Sequence, residues 1–402
     1  MIAMKNNIEF TSLFDNPRIS KLGYFMVFLM LVLSGFPASD IIPGKSYVLC
    51  LIGICILPHW WKLTGFRKLL VLICMSLTVG IYHYVNFAYL ERTISSFPVL
   101  FFAGFVTCRY LGYKFRYAYL NLMYILSVVG LLFHLINCLG IHIDILNIPA
   151  YKSIFIYNYN INHGIRNCGP FWEPGAYAGY LNVVALLFFH DLRELWIHYK
   201  KKCIVLALAL LSTLSTQGYL VLFFILALYL LNCSTKNNKY VIVFLPIFVV
   251  SSYLMYVSVP FLHDKIEQQY NRFLNWDDDE SIRSADRAVT AMVDISNIKE
   301  YPLMGKTDSP AILYSEFPVI MYRIDYLDGH YGSGSGTTTF MASYGILFFL
   351  LLIWLAYLNF CTFYGSKIAL SMITIILVMG FGEQFFVYVL FLSFPFVEFK
   401  KI

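Results

Sequence analysis

Long apolar runs, several of them shorter than a full membrane span, recur from one end of this chain to the other, and they dictate what it can fold into. They fall at approximately 22–38, 46–61, 69–90, 95–108, 117–140, 174–190, 203–215, 217–232, 240–260, 337–360, 368–382 and 384–397. A spanning helix needs about 20 mostly apolar residues, and a backbone in lipid must satisfy its polar groups within the segment. Helices are therefore the natural answer, and strand-like alternation is not evident. With 59% hydrophobic, 18% aromatic and only 13% charged residues, and a mean hydropathy of +0.68, the chain carries more apolar surface than a soluble core uses. The expected fold is an all-α polytopic membrane protein of about 12 transmembrane helices. Residues 1–402 form one integral membrane domain.

Charge sets the orientation. Lys5, Arg18 and Lys21 precede the first run, Lys62, Arg67 and Lys68 follow the second, and Arg109, Lys114 and Arg116 follow the fourth. Arg193 with Lys200–Lys202, Lys236 with Lys239, Lys367, and Lys400 with Lys401 continue on the same side, whereas the opposite short loops hold only Lys45 and Arg92. By the positive-inside rule both termini are cytoplasmic. The rule also requires turns within Ser212–Gly218 and near Gly380–Gln384, because basic residues flank both stretches on the cytoplasmic side. The net charge of +6 is mostly this bias and gives no reason to invoke nucleic acid. Pro37-Ala-Ser39 superficially resembles a cleavage site, but the mixed-charge leader is too long for a usual signal peptide, so the first span is read as uncleaved. The nine cysteines show neither zinc spacing nor a disulfide framework; Cys138 with Cys168 is the one candidate bridge.

Two long polar interruptions, 141–173 and 260–335, face the external side and hold the ionisable chemistry. In the second, Ser281–Glu300 reads as a helix with apolar or small residues at Ile282, Ala285, Ala288, Val289, Met292 and Ile295. Asp277, Asp278, Asp279 and Glu280 precede it, either complementing the helix dipole or forming an acidic metal cluster. Arg283 and Arg287 share a face four residues apart, as a diphosphate clamp or as partners of Asp279, Glu280 or Asp286. His330 and the Gly332–Gly336 run offer a base and an amide cradle for phosphate, or a flexible link. In the first loop Glu173 precedes Pro174 at the start of a span. It is either an N-cap or a partly desolvated carboxylate suited to take a proton, with Arg166 seven residues upstream. His163, His83, His134 and Glu383 are weaker candidates. Trp172, Trp276 and Tyr331 can stack sugars or anchor at the interface.

Three passages resemble the O-antigen polymerase and ligase superfamily, the Wzy-like polymerases in particular. Arg166 through Trp172-Glu173-Pro-Gly is similar to that family's Arg-to-Glu-Pro stretch entering a span. Arg287 through Tyr301-Pro-Leu-Met-Gly305 is similar to its arginine, amphipathic helix and Pro-Leu-x-Gly end. His330 through Ser343-Tyr-Gly345-Ile-Leu is similar to its polar stretch leading into a span. The layout of spans and two external loops fits as well. The resemblance implies a GT-C-like architecture in the bacterial inner membrane, with the active site facing the periplasm. It implies inverting, metal-independent and cofactor-free glycosyl transfer, in which a glycan on undecaprenyl diphosphate passes to the terminal sugar of a new lipid-linked repeat unit. Arg166, Arg283 and Arg287 would hold the diphosphate, Glu173 or His330 would be the base, and a chain-length regulator and a flippase would be partners. An O-antigen ligase acting on lipid A–core, or a lipid-linked oligosaccharide flippase, are the alternatives.

Overall fold

The computed structural model describes residues 17–38, 45–57, 59–89, 93–146, 148, 151–161, 164–233, 267, 287–316 and 335–400. The described chain is mostly helical. Its main helices are α1 (Lys21–Val32), α2 (Lys45–Ile56), α3 (Phe66–Phe87), α4 (Phe97–Leu111), α5 (Phe115–Cys138), α6 (Pro174–Leu187), α7 (Leu192–Ser212), α8 (Thr216–Cys233), α9 (Arg287–Glu300), α10 (Gly336–Tyr344), α11 (Ile346–Tyr364) and α12 (Ser366–Gly382). Three segments are long and apolar enough to cross a membrane: Phe66–Phe87, Phe97–Cys138 and Ile346–Tyr364. Shorter apolar helices stand at Lys21–Val32, Ser46–Ile56, Thr216–Asn232 and Ser366–Gly382. The numbering of helices is not a count of spans, since α9 belongs to the second loop and α10 is nine residues long.

The two expected turns are present. α7 ends at Ser212 and α8 begins at Thr216, and α12 stops at Gly382. Beyond Gly382 the chain departs from the expected helix over 384–397. It runs through a turn of 3₁₀-helix at Phe385–Val387, a single α turn at Val389–Leu392 and another 3₁₀ turn at Phe394–Phe396. Pro395 supplies no amide to a helix, and the residues from Val389 to Val397 are all buried among protein. The segment still travels back along the bundle, because the Phe399 ring meets the Tyr364 ring at 5.3 Å and Lys400 lies 5.1 Å over it, beside the start of α12.

The run 337–360 is likewise interrupted. Gly345 (φ +87°, ψ 157°) separates α10 from α11, and the loop segment Pro302–Gly305 lies against the break. Ile346 N donates to the Pro302 carbonyl at 2.9 Å, Leu347 N to Leu303 at 3.4 Å, and Lys306 N to Ala342 at 2.8 Å. The first two bonds satisfy amides of the first turn of α11 that have no partner within the helix. A Cβ on Gly345 would overlap the Leu303 carbonyl, so glycine is required there for both its backbone angle and its lack of a side chain. His83 on α3 completes the clasp, its Nε2 donating to the Met304 carbonyl at 3.0 Å.

Candidate functional site

The first loop is built around a small hairpin, β1 (Tyr151–Ser153) paired antiparallel with β2 (Asn158–Asn160). Its asparagines hold the backbone that leads to Glu173. Asn158 N donates to Gly169 O at 2.7 Å, Asn158 Nδ2 to Pro170 O at 2.6 Å, and Asn160 Nδ2 to Trp172 O at 3.0 Å. Asn158 is fully buried, so its side chain acts as a fixed bracket. The arginine end of the passage is pinned to the turn between α7 and α8. Arg166 Nε donates to Thr213 O at 3.2 Å, Asn167 N to Ser212 O at 3.1 Å, and Asn167 Nδ2 to Ser212 Oγ at 2.8 Å.

Aromatic packing fixes the remainder. Phe171 stacks on Tyr180 at 4.1 Å and 8°, and Trp172 packs beside Tyr388 at 5.0 Å. Glu173 precedes α6 in extended conformation (φ −152°, ψ 164°), and its side chain makes no capping hydrogen bond. Of the two readings of this residue, N-capping is therefore not the role its carboxylate plays. Arg166 and Glu173 are both half-buried and bracket the Cys168 thiol. Burial pushes that thiol up to about 12, with Glu173 raising it further and Arg166 opposing. Cys138 and Cys168 are both free, the first exposed and the second buried, so the candidate bridge between them does not form; Cys138 lies instead 3.9 Å from His134 Nε2.

Several helix ends converge at this level: the starts of α6, α8 and α10 and the ends of α7 and α12. Gln217, in the first turn of α8, donates to Met379 O at 3.0 Å and packs on Gly382. Gly336, the first residue of α10, lies so close to the Glu383 carbonyl that a Cβ would collide with it. Glu383 itself is buried and bears electrostatically on Tyr180, the partner of Phe171.

The second loop reaches the same region through α9, and the face it turns inward is not the apolar one of the amphipathic spacing. Thr290, Val293, Asp294 and Asn297 are buried, while Ile295 is exposed. Asp294 Oδ2 accepts from Thr338 at 2.9 Å and Thr339 at 2.7 Å on α10, and Oδ1 accepts from Tyr314 at 3.1 Å. Burial pushes the Asp294 carboxyl up to about 7 against the pull of these hydroxyls. Nearby, Lys306 is buried between Asn297 Oδ1 at 3.5 Å and Glu316 at 3.2 Å, and Tyr344 donates to Asp308 at 3.1 Å. Asp294 was not among the residues expected to act, because the apolar spacing puts Ile295 on the inward face and gives no sign of a buried carboxylate beside it.

Of the residues expected to act, Arg166 and Glu173 are brought to one end of the bundle. Arg287 opens α9, though its side chain lies outside the described residues, as do Arg283, His330 and the Asp277–Glu280 cluster. Among the described residues no three His, Cys, Asp or Glu side chains are grouped as metal ligands. No protein-family model matches the chain, and a search of curated proteins returns no match.

Proposed function

We propose that this chain is a membrane glycosyltransferase that polymerises undecaprenyl-diphosphate-linked oligosaccharide repeat units into a surface polysaccharide. The observation that carries the reading is the fixed Arg166–Glu173 passage. It holds a cation and a carboxylate not used for capping at the lip where helix ends meet. The clasp of Pro302–Gly305 on Tyr344-Gly345-Ile346 adds support, because it joins the second and third of the passages on which the resemblance rests.

In this reading the acceptor hydroxyl loses its proton to Glu173, with His330 as the alternative base, while its oxygen attacks the anomeric carbon of the donor. The bond from that carbon to the diphosphate oxygen breaks, and the leaving diphosphate takes the electron pair. In-line displacement inverts the anomeric centre. Fixed cations where negative charge develops lower the barrier, and Arg166, Arg283 and Arg287 supply them. Both loops then face the periplasm and both termini the cytoplasm.

The test is the surface lipopolysaccharide of a deletion strain, with and without the gene restored. A polymerase predicts a ladder that collapses to core bearing a single repeat. Loss of every repeat-bearing core, with lipid-linked polymer persisting, identifies a ligase instead. An unchanged ladder rejects both for lipopolysaccharide and points to the flippase reading or to a different surface glycan.

A further inference from the structure

The stretch that leaves α5 carries an apolar ridge that the glycosyl-transfer reading does not use. Ile141, Ile143 and Ile145 are all exposed, Ile145 at 72%, in a segment without regular secondary structure that bends at Ile145. The intervening polar residues turn to the hairpin: the His142 ring stacks on Tyr159 at 4.3 Å and 18°, and Asp144 pairs with Lys152 at 3.2 Å. These polar contacts hold the segment to the hairpin while the three isoleucines stay exposed. Along the chain they follow directly on the exposed Leu132 and Leu135 of α5 and on Leu139 at its C-terminal end, spaced as one helical stripe. α5 lies within a segment apolar and long enough to cross a membrane, so the stripe is a lipid-facing surface and the ridge is its continuation.

We infer that Ile141, Ile143 and Ile145 insert into the hydrocarbon edge of the leaflet on the side of the first loop, anchoring the hairpin that holds the Arg166–Glu173 passage. Contiguous exposed apolar residues mark a membrane or partner surface, and continuity with the α5 stripe selects the phospholipid acyl chains. The backbone stays at headgroup level, where water satisfies its amides, and only the side chains reach hydrocarbon. The anchor does not depend on which reaction the site performs.

The full chain, carrying benzoylphenylalanine singly at 143, 145 or 152, is placed in nanodiscs of phosphatidylcholine and phosphatidylglycerol, irradiated and analysed by mass spectrometry. Only variants that elute like the unmodified protein on gel filtration are read, and Leu139 supplies a third apolar position should 143 or 145 fail. The expected result is phospholipid adducts at 143 and 145 and their loss at 152. Absence of phospholipid adducts at 143 and 145, or adducts there only to a second copy of the chain, overturns the inference. So does capture in native membranes of polyprenyl lipid alone.

Discussion

The Asp294 carboxylate and the Thr339 hydroxyl meet at 2.7 Å, and through them the helix of the second loop is fastened to the start of α10. With Thr338 and Tyr314 this fully buried carboxylate accepts three hydroxyl donors. The contact makes the second loop part of the bundle rather than an appendage, and it has a pH signature.

Burial raises the folded-state pKa of Asp294 from 3.8 to about 7. Between those values the folded protein keeps a proton that the unfolded chain has released. The stability contributed by this group is thus fully present below the unfolded value and lost as pH rises through about 7, on the order of 4 kcal/mol at most. Thermal unfolding in detergent is expected to show stability falling as pH rises across that window, and Asp294→Asn to flatten the slope. An unchanged slope in the variant rejects the assignment.

Gly345 and Gly365 have nearly the same backbone angles (φ +87° and +80°, ψ 157° and 168°), but only Gly345 has a neighbour in the way of a Cβ. Gly365→Ala is expected to cost about 1–3 kcal/mol from backbone strain alone. Gly345→Ala adds displacement of the Pro302–Gly305 segment and is expected to cost more. Equal melting shifts for the two variants contradict the clasp.

Asn158→Ala leaves the Pro170 carbonyl and the Ser153 hydroxyl short of a buried partner. A loss of about 1–3 kcal/mol is expected, with shortened polysaccharide as the passage before Glu173 loosens. Lys152→Ala, on the more exposed Asp144 pair, is expected to stay within about 1 kcal/mol. Chain length and melting temperature measured together separate the two.

How far the sequence reveals this molecule depends on which backbone groups need tertiary partners. The turns at Thr213–Ser215 and after Gly382 were readable, because polar residues and glycines interrupt the apolar runs where charge demanded a return. The break at Gly345 and the turns from Phe385 to Phe396 were not readable. Each apolar run reads as continuous across Thr337–Ser343 or across Pro395, and at Gly345 the free amides are satisfied by segments distant in sequence, Pro302 and Leu303. The candidate site divides the same way. Arg166 and Glu173 stood out just before an apolar run, and the structure puts Glu173 at the start of α6 and Arg166 against the turn between α7 and α8. The role of Asn158 and Asn160 as brackets depends on the hairpin closing back onto 169–172, and Asp294 in sequence is indistinguishable from a solvated loop carboxylate.

A positioned general base contributes about 10²–10⁴-fold to such a reaction. In the proposed reaction the isosteric change Glu173→Gln is therefore expected to lower the rate by that factor, with melting temperature measured alongside to separate a loss of chemistry from a loss of fold. His330→Ala is expected to cost less. The reverse ranking assigns the base to His330.

The most direct test uses the purified chain in phospholipid nanodiscs with a single lipid-linked repeat unit on undecaprenyl diphosphate and no lipid A–core. Products are read by mass spectrometry. Polymerisation predicts lipid-linked oligomers of increasing length with release of undecaprenyl diphosphate, and their loss with Glu173→Gln. An inert repeat unit that is consumed only once lipid A–core is added would contradict it.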